Sequence, residues 1–386
     1  MPEVKQATQR ISELDGLRGL AILLVLLDHY LASSLLTGFS HYWQLFFKAF
    51  RGGQFGVDLF FVLSGFLIGG ILLSSRESPN YFRTFYLRRV HRILPVYYSL
   101  VFLYLIACAI FHFFMPQIPT TSADFSHALR YFAFVQNFFW SKTHLEWMLL
   151  GVTWSLAIEE QFYLCAPLVI RYVPPRRLLT LLIAVILLAP LLRLLVLLGP
   201  VDYQFYAPLS TPCRADALAL GMLGALAWRS ERFHQFLREN PKTPALVLLF
   251  FSLALGMLLP GLYKPRGTFI GTVGYSALAL FFLALLLFVL ARRESWLAGM
   301  MRLKPLRELG TVSYCVYIIH GPILIGIHHL LLHGYPRIDS LWGALVTLLA
   351  ALATLGIAAL SWHFVEKPLI KRGHRFVYST SLNPLA

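Results

Sequence analysis

Residues 15–30 of the chain read DGLRGLAILLVLLDHY, an apolar stretch that carries an arginine and a histidine. Arg18 and His29 are eleven residues apart, which at about 100° per residue places them on one helix face. Their separation along the helix axis is about 16 Å, roughly half the thickness of a bilayer core. A lone histidine in an apolar helix is more often structural, but an arginine on the same face favours a functional site inside the membrane.

The composition indicates a polytopic membrane protein. Of the 386 residues, 58% are hydrophobic and 13% are charged, whereas a soluble protein averages about 25% charged residues. The mean hydropathy is +0.67. The net charge of +15 would also suit nucleic acid. However, the basic residues cluster between apolar segments, which favours contact with membrane lipids and argues against a nucleic-acid partner.

Ten segments are long and apolar enough to span a bilayer, which predicts an all-α polytopic membrane protein with about ten transmembrane helices. Their expected bounds are 18–36, 55–73, 93–114, 153–171, 178–199, 212–228, 244–261, 270–291, 309–332 and 341–363. With the N-terminus inside, the inner segments carry 24 of the 33 Lys and Arg residues and the outer segments carry 7. This asymmetry predicts that both termini are cytoplasmic. The first segment lacks a cleavage site and is expected to remain an uncleaved span.

Carboxylates also occur within the apolar segments. Asp28 adjoins His29 and is expected to pair with a neighbouring span, and Asp58 lies in the second span. Glu159 and Glu160 are adjacent near the outer end of the fourth span. Because adjacent side chains cannot share one helix face, we expect one glutamate to face the bundle and orient a histidine or hold a hydroxyl substrate, and the other to be solvated. The small pair Ser64–Gly65 predicts a close helix approach.

The inner segment before the third span contains Arg89 and Arg92, three residues apart and therefore neighbours on a helix face. Guanidinium forks suit phosphate groups. Inner loops are basic in any case, and anionic lipids would bind here too, so both interpretations stay open.

Four further polar residues lie within the later spans. Arg214 and Asp216 occur near the outer end of the sixth span. Tyr317 and His320 share a face of the ninth span, where His320 is either a satisfied core histidine or part of an active site.

The spacing of cysteine and histidine does not predict a metal site. His329 and His333 are four residues apart, but no third ligand has a matching spacing. No two of the four cysteines have a CxxC spacing, and we expect buried free thiols at Cys108, Cys165, Cys213 and Cys315.

Seven stretches in order over about residues 10–370 resemble the membrane-bound acyltransferase 3 family of bacteria. They read LDGLRG (14–19), GVDLFFVLSGF (56–66), RRVHRILP (88–95), WSLAIEEQFY (154–163), RADAL (214–218), VSY (312–314) running to His320, and EKP (366–368). By this likeness, Arg18 and His29 are the family's Arg-x10-His pair, and Arg89 with Arg92 is its cytoplasmic RxxR pair.

The resemblance implies an enzyme of the bacterial inner membrane that transfers an acyl group, often acetyl, from acyl-CoA to a carbohydrate hydroxyl. Acceptors in the family include lipopolysaccharide O-antigen, peptidoglycan, exopolysaccharides, lipo-oligosaccharides and macrolides. Some relatives carry a C-terminal SGNH hydrolase-like domain. This chain resembles the stand-alone form, with a transmembrane domain over 10–370 and a short cytoplasmic tail over 371–386.

We therefore expect an O-acyltransferase that uses acyl-CoA, most simply acetyl-CoA, and no metal. The CoA phosphates are expected at Arg89, Arg92 and Arg18, with the thioester near His29. The imidazole of His29 acts either as a general base on the acceptor hydroxyl or as an acyl relay. The other residues expected to contribute to catalysis or substrate binding are Asp58, Glu159, Glu160, Arg214, Asp216, Tyr317 and His320.

Two other classes of function stay open at this point. A carrier of acyl groups or of a lipid-linked sugar would have similar intramembrane acids and histidines, although the sequence lacks the internal repeats common in carriers. A membrane scaffold would not need Arg18, His29, Asp58 and Glu159 in the apolar zone.

Overall fold

The computed structural model describes residues 11–32, 52–53, 55–114, 128–139, 146, 149–199, 203–262 and 269–379, and this part of the chain is all-helical. In chain order the helices are α1 (Ser12–Leu27), α2 (Gly56–Ser74), α3 (Tyr81–Phe114), α4 (Trp154–Tyr172), α5 (Pro175–Leu198), α6 (Tyr203–Leu209), α7 (Thr211–Trp228), α8 (Glu231–Glu239), α9 (Thr243–Leu262), α10 (Phe269–Ala291), α11 (Trp296–Met301), α12 (Lys304–Leu332), α13 (Leu341–Ser361) and α14 (Lys367–Gly373). One π-helical turn, Asp28–Ala32, extends α1, and another, Trp362–Glu366, joins α13 to α14.

Each of the ten predicted segments coincides with a helix, namely α1, α2, α3, α4, α5, α7, α9, α10, α12 and α13. Six of the described helices are by themselves long and apolar enough to cross a membrane. The pair α8–α9, bent by 89°, makes a seventh if it is one span. An all-helical architecture with membrane-type helices is therefore confirmed, whereas ten crossings and the side of the termini stay predictions. The predicted span end 33–36 and the tail residues 380–386 lie outside the described residues.

Helix α2 is central and packs against α1, α4, α7 and α10. Its closest neighbour is α7, where Gly65 faces the backbone of Leu218 and Gly221 faces the backbone of Val62. A Cβ at either glycine would overlap a carbonyl oxygen of the opposite helix. This crossing confirms the close helix approach predicted from Ser64–Gly65.

Apolar side chains cover the outer faces of several helices. Leu187 on α5, Phe250 on α9 and Leu352 on α13 are among many exposed large apolar residues. A soluble protein rarely exposes apolar surface of this extent, whereas hydrocarbon accommodates it without cost. All four cysteines are free thiols, as predicted. The prediction that all are buried is wrong for Cys165, because its helix α4 turns that position outward.

Candidate active site

A cavity of about 160 Å³ lies between α1, α2, α3, α4 and α12. We name it the arginine cavity after three of its lining residues, Arg18, Arg89 and Arg92. Helix α1 supplies Arg18, and the N-terminal part of α3 brings two arginines to one face because they are three residues apart. The other polar lining residues are Ser64, Ser155, Glu159, Tyr163, Ser313, Tyr314 and Tyr317.

Glu159 is the carboxylate of the arginine cavity. The Ser64 hydroxyl donates to its Oε1 at 2.6 Å, and the Tyr163 hydroxyl, one helical turn further along α4, donates to its Oε2 at 3.3 Å. Each carboxylate oxygen is thus held by a different hydroxyl. The adjacent Glu160 does not line any of the cavities described for this part of the chain. The structure therefore separates the two glutamates that the sequence left equivalent.

The arginine cavity has an excess of positive charge. Arg18 Nη1 donates to Asp15 Oδ1 at 3.1 Å. The Arg89 guanidinium lies over the rings of Phe85 and Tyr163, at 5.8 and 5.5 Å from their centroids. Its Nε is buried and has no hydrogen-bond partner among the described residues. Three guanidiniums and one carboxylate in the lining make the cavity suitable for an anionic ligand.

A second cavity, of about 280 Å³, lies next to the first. We name it the histidine cavity because His29 lines it. The π-helical turn Asp28–Ala32 carries this residue, and such turns are frequent at functional sites. The other polar or aromatic lining residues are Asp28, Phe55, Asp58, Trp154, Arg214, Tyr275 and Tyr317.

The hydrogen bonding of His29 selects one tautomer. Its Nδ1 lies 3.0 Å from the carbonyl oxygen of Val25, so Nδ1 must carry the proton that the carbonyl accepts. A neutral imidazole then has its lone pair on Nε2, where it can accept a proton from a ligand. Asp28 Oδ2 lies 3.8 Å from the same Nδ1.

His320 is the aromatic partner of His29. The two ring centroids are 4.8 Å apart in an edge-to-face arrangement. His320 is fully buried, its Nδ1 lies 2.7 Å from the carbonyl oxygen of Tyr317, and its Nε2 has no hydrogen-bond partner among the described residues. The structure thus brings together two histidines that are 291 residues apart in sequence.

Two buried ion pairs flank the histidine cavity on α7. Arg214 Nη2 donates to Asp58 Oδ1 at 2.6 Å, and the guanidinium lies 4.1 Å from the centroid of the Tyr275 ring. Asp216 does not line this cavity but accepts from Arg193 Nη2 at 2.9 Å. Sequence reasoning gave Arg193 no role, although an arginine within the apolar part of α5, well beyond the two arginines of its first turn, was the signal that could have drawn attention to it.

The two cavities meet at Val57 and Tyr317, which line both. The Tyr317 hydroxyl donates to the carbonyl oxygen of Val152 at 3.1 Å and lies 2.7 Å from Ser155 Oγ. Tyr317 is thereby fixed to the start of α4, between the arginines on one side and the histidine on the other.

The predicted site residues thus fall into two adjoining groups. Arg18, Arg89, Arg92 and Glu159 line the arginine cavity, whereas His29, Asp58 and Arg214 line the histidine cavity. The expected contact between a glutamate and His29 is not among the contacts of the described residues, because the partners of Glu159 are Ser64 and Tyr163. The sequence had assigned no role to Tyr163, although its position four residues after Glu159 places it on the same face of α4.

No metal-binding cluster of three or more His, Cys, Asp or Glu side chains is found within the described ranges. Of the two histidines that are four residues apart, His329 is exposed on α12 and His333 lies just after that helix.

Residues 11–363 match the family model Acyl_transf_3, an acyltransferase domain. The chain is 29% identical to the peptidoglycan O-acetyltransferase OatA of Listeria monocytogenes, over 94% of this chain and 56% of that protein. It is 30% identical to the putative peptidoglycan O-acetyltransferase YrhL of Bacillus subtilis, over 95% and 56%, and 27% identical to the O-acetyltransferase OatA of Staphylococcus aureus, over 94% and 57%. The chain therefore spans about half the length of these curated relatives. No solved structure matches it.

Proposed function

The chain belongs to the Acyl_transf_3 acyltransferase family, and we propose that it is an integral membrane O-acyltransferase. It moves an acyl group, acetyl in the simplest case, from acyl-CoA to a hydroxyl of a carbohydrate-type acceptor such as a surface polysaccharide or glycolipid. The names of the relatives support a carbohydrate acceptor, since that of Listeria monocytogenes is named a peptidoglycan O-acetyltransferase and that of Bacillus subtilis a putative one. The observation that carries the proposal is the pair of adjoining cavities, one cationic and one with a histidine base, that meet at Tyr317.

The proposed topology has ten spans in the bacterial inner membrane, with both termini in the cytoplasm. It is supported by the basic-residue asymmetry and by the helix at each of the ten apolar segments. In this orientation the arginine cavity faces the side where acyl-CoA is made, and the histidine cavity faces the opposite side. Donor and acceptor would then approach from different sides and meet near Tyr317.

On the donor side, Arg18, Arg89 and Arg92 bind phosphate oxygens of CoA. Three guanidiniums with a single carboxylate in the described lining supply the required charge, and Arg89 Nε is a donor that has no acceptor among the described residues. Glu159, held by Ser64 and Tyr163, orients the donor's pantetheine arm, whose amide N–H groups can donate to a carboxylate.

On the acceptor side, His29 is the general base. Its Nε2 takes the proton from the acceptor hydroxyl while the hydroxyl oxygen attacks the thioester carbonyl, giving a tetrahedral oxyanion. The C–S bond then breaks, the carbonyl reforms as an ester, and the imidazolium returns the proton to the CoA thiolate. The alternative in which Nε2 first accepts the acyl group and then passes it on uses the same nitrogen.

Arg214 supplies hydrogen-bond donors to the oxyanion in this scheme. Its Nε and Nη1 have no partner among the described residues, while Nη2 is held by Asp58. Donors that are already fixed before the reaction stabilise developing negative charge most effectively. Asp58 is accordingly a positioning residue for Arg214.

The test is transfer of a radiolabelled acetyl group by protein purified in lipid nanodiscs. We expect His29→Ala to lower transfer per folded molecule by about 10²–10⁴-fold while CoA binding is retained. His329→Ala, an exposed histidine on α12, is the matched control and should behave as wild type. Near-normal transfer by His29→Ala would contradict the proposed role.

The same preparation tests the carrier alternative. A carrier without chemistry of its own would exchange labelled substrate across a vesicle membrane. It would neither hydrolyse acyl-CoA nor form an ester with a carbohydrate. Ester formation by the purified protein therefore excludes the carrier, and its absence with intact exchange would overturn the enzyme proposal.

A further inference from the structure

A third cavity, of about 150 Å³, lies beside the arginine cavity and shares Arg89 and Arg92 with it. We name it the tail cavity because the segment after α14 forms one of its walls. Its polar lining residues are Arg88, Arg89, Arg92, His374 and Tyr378. The two residues from the tail, His374 and Tyr378, belong to none of the sequence motifs that resemble the family.

The tail is docked onto the start of α3 through its backbone. The Asn80 side chain donates through Nδ2 to the carbonyl oxygen of Val377 and accepts through Oδ1 from the backbone N–H of Ser379, both at 2.9 Å. Arg88 Nε donates to the carbonyl oxygen of Phe376 at 2.8 Å. These three bonds use backbone groups of the tail, and the side chains of His374 and Tyr378 line the cavity.

The tail cavity has donors and positive charge without a matching anion. Its described lining contains three guanidiniums and an imidazole, and no carboxylate. Arg89 Nε and the Tyr378 hydroxyl are both buried without a hydrogen-bond partner among the described residues. A buried cation with an unsatisfied donor is costly unless an anion binds to it.

The pKa of His374 reports the same surroundings. Partial burial of this otherwise exposed side chain lowers its pKa below the usual value for histidine, and the charges of Arg88, Arg92 and Arg89 lower it further. A phosphate in the cavity would act in the opposite direction, because an anion favours the charged imidazolium.

We propose that His374 and Tyr378 complete a phosphate site that binds the ribose 3′-phosphate of the CoA donor. This inference rests on the proposed function. CoA carries a pyrophosphate next to its pantetheine arm and a further phosphate on the ribose, at the end remote from the thioester. The pyrophosphate fits Arg89 and Arg92, which the two cavities share, and the remote phosphate fits the residues found in the tail cavity alone, Arg88, His374 and Tyr378.

The experiment compares the binding of CoA and dephospho-CoA, which lacks the 3′-phosphate, to protein in nanodiscs of neutral phosphatidylcholine. We expect wild type to bind CoA about tenfold or more tightly than dephospho-CoA, as a hydrogen-bonded charged group should. Tyr378→Phe and His374→Gln should each weaken CoA binding by about threefold to tenfold and leave dephospho-CoA unchanged. The matched controls are Tyr172→Phe and His363→Gln, both exposed in the structure.

The outcomes separate this inference from the proposed function. If wild type binds neither ligand, the acyl-CoA donor itself is wrong. If wild type binds CoA more tightly than dephospho-CoA and both variants keep that difference, the proposed phosphate site at the tail is wrong. The proposal that acyl-CoA is the donor is then retained. Equal weakening of CoA and dephospho-CoA binding in the variants would mean that the tail residues support the fold and do not bind the 3′-phosphate. This result also overturns the proposed site.

A lipid phosphate is the other source of the same chemistry, and a second arm tests it. The measurements are repeated in nanodiscs that contain phosphatidylglycerol. If a lipid headgroup occupies the tail cavity, phosphatidylglycerol should weaken CoA binding to wild type, and Tyr378→Phe should remove that effect. Unchanged CoA affinity in both lipids supports the ribose phosphate as the ligand.

Discussion

The two buried arginine–aspartate pairs near α7 differ in how completely the arginine is hydrogen-bonded. Arg193 donates to Asp216, to Ser276 Oγ and to the carbonyl oxygens of Thr272 and Cys213. Arg214 donates to Asp58 and leaves Nε and Nη1 without a partner in the described part of the chain. Only the second arginine lines the histidine cavity.

The difference separates an arginine that holds the fold from one that is available to a ligand. A buried charge with a full set of partners is fixed in place. Removing one member of a buried ion pair leaves the charge of the other member uncompensated. A buried charge with spare donors is costly in the empty protein, and binding an anion or an oxyanion removes that cost. Glu159 and Glu160 on α4 differ in another respect, because Glu159 lines the arginine cavity and Glu160 does not.

The largest effect is expected at the Arg193–Asp216 pair, where the arginine is fully hydrogen-bonded, and it is an effect on stability. Arg193→Leu leaves Asp216 as a buried carboxylate with its principal cation missing, which should cost about 3–5 kcal/mol of unfolding free energy. We expect a clear fall in the thermal unfolding midpoint in detergent, with the specific activity of the remaining folded protein unchanged.

The double variant Arg193→Leu with Asp216→Leu is the control for that prediction, because it removes both charges. It should recover a substantial part of the lost stability. Wild-type stability of the single variant would mean that the pair does not hold α5 to α7.

At the Arg214–Asp58 pair, where the arginine has spare hydrogen-bond donors, the expected effect is on the rate of acyl transfer. Arg214→Lys keeps a charge for Asp58 but lacks the planar fork that provides Nε and Nη1. We expect kcat to fall by about 10²–10³-fold, as for the loss of an oxyanion donor, with little change in CoA affinity or in the unfolding midpoint. Arg193→Lys is the matched control and should lower stability while the rate per folded molecule stays normal. The comparison fails if both lysine variants behave alike.

The adjacent glutamates provide a smaller test, which asks whether lining the arginine cavity decides a residue's importance for the rate. Glu159→Gln changes a residue that lines the arginine cavity and should lower transfer by about tenfold or more. Glu160→Gln should stay within about threefold of wild type, because this side chain does not line the described cavities. Rates are compared at equal amounts of folded protein. Equal mild losses in the two variants would favour interfacial roles for both.

The smallest effect is expected at Ser64. Ser64→Ala removes the 2.6 Å hydrogen bond to Glu159 Oε1, and a bond to a charged group contributes about 1.5–3 kcal/mol. Part of this free energy should appear as a lower rate of acyl transfer. Because the two residues are in direct contact, Ser64→Ala combined with Glu159→Gln should lower the rate by less than the product of the single effects. Independent effects would show that Ser64 does not act through Glu159.

The sequence predicted the helices well because apolar length and turn-free stretches are local properties. It also identified Arg89, Arg92 and Arg18 as candidates, and the structure gathers them in one cavity. The π-helical turn at Asp28–Ala32 was not predicted, because nothing in its five residues distinguishes it from a continuing α-helix. Local periodicity placed His29 on the face of Arg18, and the structure adds that the two residues line different cavities.

The contacts that define the site join residues far apart in the chain. Ser64 meets Glu159 across 95 positions, and Tyr30 contacts the backbone of His320 across 290. Helix packing decides such pairings, and a single sequence does not encode them in any pattern of spacing. The docking of the tail on Asn80 and Arg88 belongs to the same class, since its bonds are made by backbone groups.

The position of Tyr317 has a consequence for the energetics of the cell. A membrane that stores an ion gradient cannot tolerate a continuous water path, and the two cavities adjoin at the side chains of Val57 and Tyr317. At this junction the Tyr317 ring is held by the bonds of its hydroxyl to Ser155 and Val152. In the proposed orientation, acyl transfer and electrical insulation therefore place opposing demands on the same ring.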